Sequence, residues 1–156
     1  MTVIPFQQVL DAHRDRVWRV VVATAGREDA DDAFQETWLS ALRAYPRLAD
    51  GANVEAWLVT IAHRKAIDVH RGRVRRAIPA GDDLPETTVH NPPPPDDALW
   101  DAVRALPAGQ RAAVTLRYAG DLRPHEVADA LRISPEAARR RIADGLKHLR
   151  QEVQPA

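Results

Sequence analysis

The sequence predicts an all-α protein made of two small helical domains joined by a proline-rich acidic linker. Apolar residues recur at spacings of three and four on both sides of residues 78–97, and alternating strand patterns are almost absent. Residues 78–97 hold six prolines and five acids with no Lys or Arg, so this segment predicts an extended linker. The expected boundaries are a domain at 1–77, a linker at 78–97 and a domain at 98–153.

The N-terminal half carries three predicted helices. The second covers Asp29–Tyr45 and ends before Pro46, because proline disfavours helical backbone in the residue that precedes it. The three buried faces are predicted to be Phe6, Leu10, His13, Val17 and Val21; Ala30, Phe34, Trp38, Ala41 and Tyr45; and Trp57, Leu58, Ile61 and Ala62. In a chain of this length each half can bury only a modest core.

The C-terminal half carries four predicted helices. They cover residues 99–106, 108–118 and 124–131 and a long stretch that starts after Ser134. Ser134 at the N-cap, Pro135 at the first helical position and Glu136 in the first turn form a strong start signal. Ala138, Ile142, Leu146 and Leu149 follow at helical spacing and predict the buried seam of this last helix.

Composition excludes several classes of function. The chain has no cysteine, which rules out disulfides and thiolate metal sites, and no apolar run approaches the length of a membrane span. His63 and His70 share a helix face but lie two turns apart, too far for an ordinary chelate pair. No phosphate loop, nucleophile elbow or carboxylate pair is present. We therefore expect a cytoplasmic protein that is not an enzyme, holds no cofactor or metal and does not insert into membranes.

Charge is segregated along the chain although the formal net charge is zero. The basic residues concentrate in two blocks: Arg64, Lys65, Arg71, Arg73, Arg75 and Arg76 in the third helix, and Arg139, Arg140, Arg141, Lys147 and Arg150 in the last. Clustered Lys and Arg supply the phosphate contacts of nucleic-acid binding, so both blocks are candidate DNA-binding surfaces. The alternative is a solvated helix face.

The short helix at 124–131, a tight turn and the long last helix form the layout of a helix-turn-helix. In that motif the second helix enters the major groove with its N-terminal end. The residues expected to face DNA are Glu136, Ala137, Arg139, Arg140 and Ala143. On pattern alone a plain helical bundle remains an alternative.

Longer stretches resemble one family. The first half reads REDADDAFQETWLSALRAYPRL and VEAWLVTIAHRKAIDVHRGRVRR, and the second reads LPAGQRAAVTLRYAGDLRPHEVADALRISPEAARRRIADGLKHLR. These stretches resemble regions two and four of extracytoplasmic-function sigma factors, in the same order and with the same separation. The resemblance implies a dissociable RNA polymerase subunit that directs promoter-specific transcription initiation.

The resemblance also implies that different groups of residues bind polymerase and the two promoter elements. Asp32, Gln35 and Glu36 match positions that bind the arginine-rich clamp helices of the polymerase's largest subunit, and their spacing puts them on one helix face. The positions implied for the minus-ten element are His63, Arg64, Lys65, Arg71, Arg73, Arg75 and Arg76. The positions implied for the minus-thirty-five element are Glu136, Ala137, Arg139, Arg140 and Ala143. An anti-sigma factor is a further expected partner.

Some residues depart from the family pattern. Arg64 stands where relatives often carry asparagine, Arg132 replaces the usual turn glycine, and Asp144 replaces a usual basic residue. If Arg132 is left-handed, that substitution costs about 1 kcal/mol. Two other functions stay open: a stand-alone helix-turn-helix regulator, and a sigma-like interaction protein that titrates a regulator. The match at Asp32, Gln35 and Glu36 speaks against the first.

Overall fold

The computed structural model describes residues 4–76 and 97–153, and every regular element within them is helical. The α-helices are α1 Phe6–Ala25, α2 Arg27–Ala44, α3 Val54–Arg76, α4 Asp97–Arg104, α5 Ala108–Val114, α6 Pro124–Leu131 and α7 Pro135–Val153. The predicted all-α fold class is therefore confirmed. The predicted linker at 78–97 lies outside the described residues except for Asp97, where α4 begins.

Helices α1, α2 and α3 form the N-terminal bundle. Gly26 joins α1 to α2 with a φ of 84°, a left-handed conformation that glycine adopts without steric penalty. Trp38 is 8 % exposed and packs edge-on against Phe34 and Phe6, with ring centroids 6.0 Å away in each case. The tryptophan on α2 is thus a core residue, as its helical spacing among apolar residues predicts.

The helix predicted at 108–118 is present but changes its hydrogen bonding near its end. After α5 the chain makes a π turn over Thr115–Ala119, and the Gly120 N–H donates to the Thr115 carbonyl at 3.1 Å. Leu116 and Ala119 on this turn are almost completely buried. A π turn adds one residue to a helical turn, and the spacing of apolar residues in the sequence does not reveal it.

The helix-turn-helix forms as predicted, with α6 at Pro124–Leu131. Arg132 adopts the left-handed conformation with a φ of 57°, and the Ile133 N–H donates to the Ala128 carbonyl at 3.0 Å. The Ser134 hydroxyl accepts a hydrogen bond from the Ala137 N–H at 3.1 Å, which caps α7. Local sequence signals therefore account for the start of α7, whereas the turn forms although an arginine stands at its left-handed position.

The two halves pack against each other. Leu116, Ala119 and Leu122 of the C-terminal half belong to the same buried cluster as the valines of α1 and the inner face of α3. A second, smaller cluster lies within the C-terminal half and includes Val103 and Leu149. The shared cluster is a tertiary feature that the helical pattern of the sequence does not predict.

Candidate polymerase and nucleic-acid interfaces

The predicted polymerase-binding residues lie together on the exposed face of α2. Asp32, Gln35 and Glu36 are all exposed, and they line one groove of about 350 Å³ between α2 and α3. Lys65 and Asp68 of α3 line the same groove. The structure thus groups Lys65, which the resemblance assigns to the minus-ten element, with the acidic face of α2.

Two apolar side chains that the sequence analysis did not single out continue this face. Leu39 is 47 % exposed and Leu42 is 52 % exposed, although both are large aliphatic residues. Leu39 lies one helical turn beyond Gln35 and Glu36, and Leu42 lies a further turn along α2. In the sequence, both leucines lie outside the predicted buried stripe of α2, and this position indicates that they are exposed. An acidic face continued by exposed leucines suits a protein partner better than a solvated helix face does.

The basic end of α3 presents Arg71 and Arg75 to solvent. Both residues lie in the last two turns of the helix. The side chain of Arg76, the fourth predicted cation of this end, lies outside the described part of the structure. Arg71, Arg73 and Arg75 are therefore the exposed cations among the described residues of this end.

Arg73 belongs to the same basic end but is engaged by acids of α2. Its guanidinium is 3.3 Å from a carboxylate oxygen of Asp29 and also pairs with Glu28. Asp29 is only 6 % exposed, and its other oxygen lies 3.3 Å from Nδ1 of His70. Because a nearly buried carboxylate requires partners, Arg73 and His70 serve as its partners and tie α3 to the start of α2.

His63 is buried, unlike the exposed arginines that are predicted together with it to bind the minus-ten element. It is only 7 % exposed, and burial together with the charges of Arg111 and Arg64 lowers its pKa to about 4. It is therefore a neutral, buried side chain at pH 7 in this arrangement. Arg64 is exposed and lines a groove of about 460 Å³ that also contains His125 and Asp129 of α6.

The predicted DNA-facing side of α7 is open to solvent. Glu136, Arg139, Arg140 and Ala143 are exposed, and Ala137 is half-buried. The opposite seam is buried, with Ala138 completely inaccessible and Ile142 8 % exposed. Asp144 is also exposed and follows Ala143 directly, so the face carries an acid beside its arginines.

Comparisons with known proteins identify both halves. The model of Sigma-70 region 2 matches residues 9–76, and the model of Sigma-70 region 4 matches residues 96–149. The RNA polymerase sigma factor CarQ of Myxococcus xanthus is 33 % identical over 135 residues, which cover 78 % of this chain and 73 % of CarQ. The ECF RNA polymerase sigma factor BldN of Streptomyces coelicolor is 33 % identical over 133 residues, covering 79 % of this chain. That match spans half the length of BldN.

A solved structure shows the same fold. The sigma factor RpoE of Bartonella quintana, in complex with the anti-sigma factor NepR, matches with a TM-score of 0.75 at 21 % identity. The match covers 96 % of this chain and 98 % of RpoE. The two matched regions define an RNA polymerase sigma factor of the sigma-70 class. Within that class the chain belongs to the ECF sigma factor family.

No helix within residues 4–76 and 97–153 is long and apolar enough to cross a membrane. The same residues contain no group of three His, Asp or Glu side chains placed to hold a metal ion.

Proposed function

We propose that the chain directs core RNA polymerase to promoters through three surfaces of its two domains. Residues 1–77 bind polymerase and the minus-ten element, residues 78–97 link the domains, and residues 98–153 bind the minus-thirty-five element. The observation that carries the proposal is the simultaneous exposure of an acidic face on α2 and an arginine face on α7 in a chain with both sigma regions. The chain acts as a specificity subunit in the cytoplasm, and the chemistry of RNA synthesis belongs to the polymerase.

The polymerase contact is assigned to the exposed face of α2. Asp32 and Glu36 lie one helical turn apart with Gln35 between them, so two carboxylates and an amide point toward one partner surface. Carboxylates pair well with guanidinium groups, which matches an arginine-rich clamp helix. Leu39 and Leu42 extend the contact with apolar area, since large exposed aliphatic side chains gain free energy when a partner covers them.

The minus-ten contact is assigned to α3. Arg71 and Arg75 are exposed and suited to the phosphates of an unpaired strand, whereas Arg73 positions the helix through Asp29 and Glu28. Arg64 lies on the exposed part of the same helix and faces the groove beside α6. The implied role of His63 requires a change of conformation, because the side chain is buried here.

The minus-thirty-five contact is assigned to the first half of α7. Arg139 and Arg140 are exposed on the helix that a helix-turn-helix inserts into the major groove, and arginine reads guanine edges there. Asp144 repels nearby phosphate, so binding at this element is expected to be weaker than an all-basic face would give. We also propose that an anti-sigma factor binds this chain and covers these surfaces.

The proposed function is tested by reversing the charge of the α2 face. Asp32→Arg with Glu36→Arg is expected to weaken binding to core polymerase about 100-fold, because like charges across an interface cost several kcal/mol. The matched control is Asp11→Arg with Asp15→Arg, which reverses two exposed acids of the same spacing on α1. Binding should be measured by co-purification with core polymerase, with circular dichroism to confirm the fold. Unchanged binding of the α2 variant would favour the stand-alone regulator.

A further inference from the structure

The end of α3 is held by little apolar packing. Ala66 is completely buried and Val69 packs partly against the core cluster, but the next described apolar side chain, Val74, is 63 % exposed. Gly72 lies between Val69 and Val74, and glycine weakens a helix relative to alanine. Apolar burial therefore does not fix the direction of the helix after Val69.

One carboxylate of α2 contacts this end of α3 on both sides of Gly72. Asp29 Oδ2 lies 3.3 Å from Nδ1 of His70, and Asp29 Oδ1 accepts a hydrogen bond at 3.3 Å from the Arg73 guanidinium. Asp29 is only 6 % exposed, and polar contacts shielded from water are stronger than contacts at the surface. The charge of Asp29 is also the largest cause of the raised pKa of Arg73. We call these two contacts the Asp29 anchor.

The anchor and two exposed arginines lie on opposite sides of the helix. At about 100° per residue, Arg71 and Arg75 are separated by about 40° around the helix axis. The midpoint of His70 and Arg73 lies roughly 150° away from theirs. Because the anchor holds one side of the helix against α2, the opposite side points away from α2. Arg71 and Arg75 are therefore directed into solvent, where both are exposed.

The anchor belongs to the helix that carries the proposed polymerase contact. Asp29 precedes Asp32 by about one turn of α2 and Glu36 by about two turns. One helix therefore connects the polymerase contact to the anchor, and the anchor connects that helix to the end of α3. The direction of the two exposed arginines is thus fixed relative to bound polymerase as well as to the N-terminal bundle.

We propose that Asp29 is a positioning residue for promoter DNA, which holds the end of α3 so that Arg71 and Arg75 are directed at the strand before it binds. A preorganised contact binds more tightly, because the helix end need not be ordered on binding. The inference rests on the proposed minus-ten role of α3. It assigns a favourable effect to an acid near DNA, although a carboxylate by itself repels phosphate.

Asp29→Asn tests this role because positioning and simple electrostatics predict opposite signs. The variant keeps the size of the side chain and removes one negative charge near the proposed DNA contact, so electrostatics alone predicts tighter binding. Positioning predicts that the complex of core polymerase with the variant binds promoter DNA about tenfold more weakly than the parent complex. The affinities of the two preformed complexes should be compared at one stated salt concentration.

Asp31→Asn is the matched control. Asp31 is a half-buried acid two residues along α2, and among the described residues it forms no ion pair with His70 or Arg73. This substitution removes the same charge from the same helix without breaking the anchor. The promoter affinity of this variant should equal or exceed that of the parent.

A double-mutant cycle separates positioning from a general loss of structure. Asp29→Asn should weaken promoter binding in the parent but cause no further loss in the variant Arg71→Gln with Arg75→Gln, which lacks the cations that the anchor directs. A loss of fold would weaken binding in both backgrounds. Binding of Asp29→Asn to core polymerase, measured by co-purification, should stay within about twofold of the parent, because the polymerase contact does not include this residue.

The outcomes separate this inference from the proposed function. Equal losses from Asp29→Asn in both backgrounds, or a promoter affinity of Asp29→Asn at or above that of the parent, would overturn the positioning role alone. If Arg71→Gln with Arg75→Gln left promoter binding unchanged, the minus-ten assignment of α3 would be wrong, and the positioning role would fall with it.

Hydrogen exchange of the free chain measures the anchor without DNA. The backbone amides of residues 73–75 should exchange at least about fivefold faster in Asp29→Asn than in the parent, since the last turn of α3 opens more often without the anchor. In Asp31→Asn the same amides should exchange at the parent rate. Equal rates in Asp29→Asn and the parent would show that Asp29 does not hold this end, and would contradict the proposal.

Discussion

Helices α3 and α7 each carry a block of arginines, yet the two blocks differ in their exposure and in their contacts. On α7, Arg139 and Arg140 lie on one exposed face near the start of the helix. On α3, the basic residues are divided among an inter-half groove, the acidic groove of α2, an ion pair with Asp29 and an exposed end. While the two halves are packed together, the surface on α7 is exposed, whereas the surface on α3 is only partly exposed.

The difference follows from how each helix is positioned. The orientation of α7 is set by local signals, because Ser134 caps it and the tight turn at Arg132 packs it on α6. The longer α3 crosses both α2 and the C-terminal half, so residues seven or eight positions apart meet different neighbours. The basic residues of one helix therefore form one continuous surface only when the rest of the protein packs against the opposite side of that helix.

The largest effect is expected on the exposed block. Arg139→Ala with Arg140→Ala should remove roughly 1–3 kcal/mol of binding for each arginine that contacts a base, which corresponds to a loss of about fivefold to 150-fold per contact at the minus-thirty-five element. Transcription in vitro from promoters with and without that element, at stated salt, measures the change. Arg150→Ala, at an exposed position near the end of α7, is the control. If transcription by the variant depended on the minus-thirty-five element as strongly as transcription by the parent, α7 would have another role.

The buried His63 should make stability depend on pH. Its pKa of about 4 in the folded chain lies below the ordinary value near 6.5, so between these values the unfolded chain binds a proton that the folded chain does not. The free energy of unfolding should therefore fall by about 2 kcal/mol from His63 alone as pH drops from 7.5 to 5.

Urea unfolding of the parent, His63→Gln and the exposed control His125→Gln measures this dependence. His63→Gln should flatten the slope between pH 5 and 7, and His125→Gln should not. The same slope in the parent and in His63→Gln would mean that His63 is accessible in solution.

Arg71 and Arg73 allow two kinds of arginine within α3 to be compared, one exposed to solvent and one paired with acids of α2. If Arg71 contacts phosphate, Arg71→Gln should lower the slope of log K against log salt for promoter DNA by about one. Arg73→Gln should weaken binding with little change in that slope, because Arg73 acts through Asp29 and Glu28. Titrations of the polymerase complex at several salt concentrations distinguish the two. A slope change for Arg73→Gln equal to that of Arg71→Gln would make Arg73 a phosphate contact.

The smallest effect is expected at the turn of the helix-turn-helix. Arg132 has a φ of 57°, where glycine avoids the steric penalty of a side chain. Arg132→Gly should raise the free energy of unfolding by about 1 kcal/mol. Thermal or urea unfolding measures this change, and a decrease would show that the arginine side chain makes a compensating contact.

Sequence patterns predicted the helices, the buried stripes and the helix-turn-helix, since these depend on residues within a few turns of one another. The π turn after α5 was not predictable, because α and π turns share the same apolar residues. The partners of Arg73 and the burial of His63 depend on packing between distant segments, which periodicity does not encode. The apolar pattern separates the exposed face of α2 from its buried stripe, but it does not indicate that Leu39 and Leu42 continue the candidate site.

The distance between the two halves tests most directly whether they pack together in the free chain and occupy separate promoter elements in the complex. Spin labels on Arg47→Cys and Lys147→Cys, both at exposed positions, report that distance without other thiols. The free chain should give one short distance, which lengthens by roughly 40 Å in the complex with core polymerase and promoter DNA. A long, broad distribution in the free chain would contradict the packing of the two halves, and no lengthening in the complex would contradict their placement on separate promoter elements.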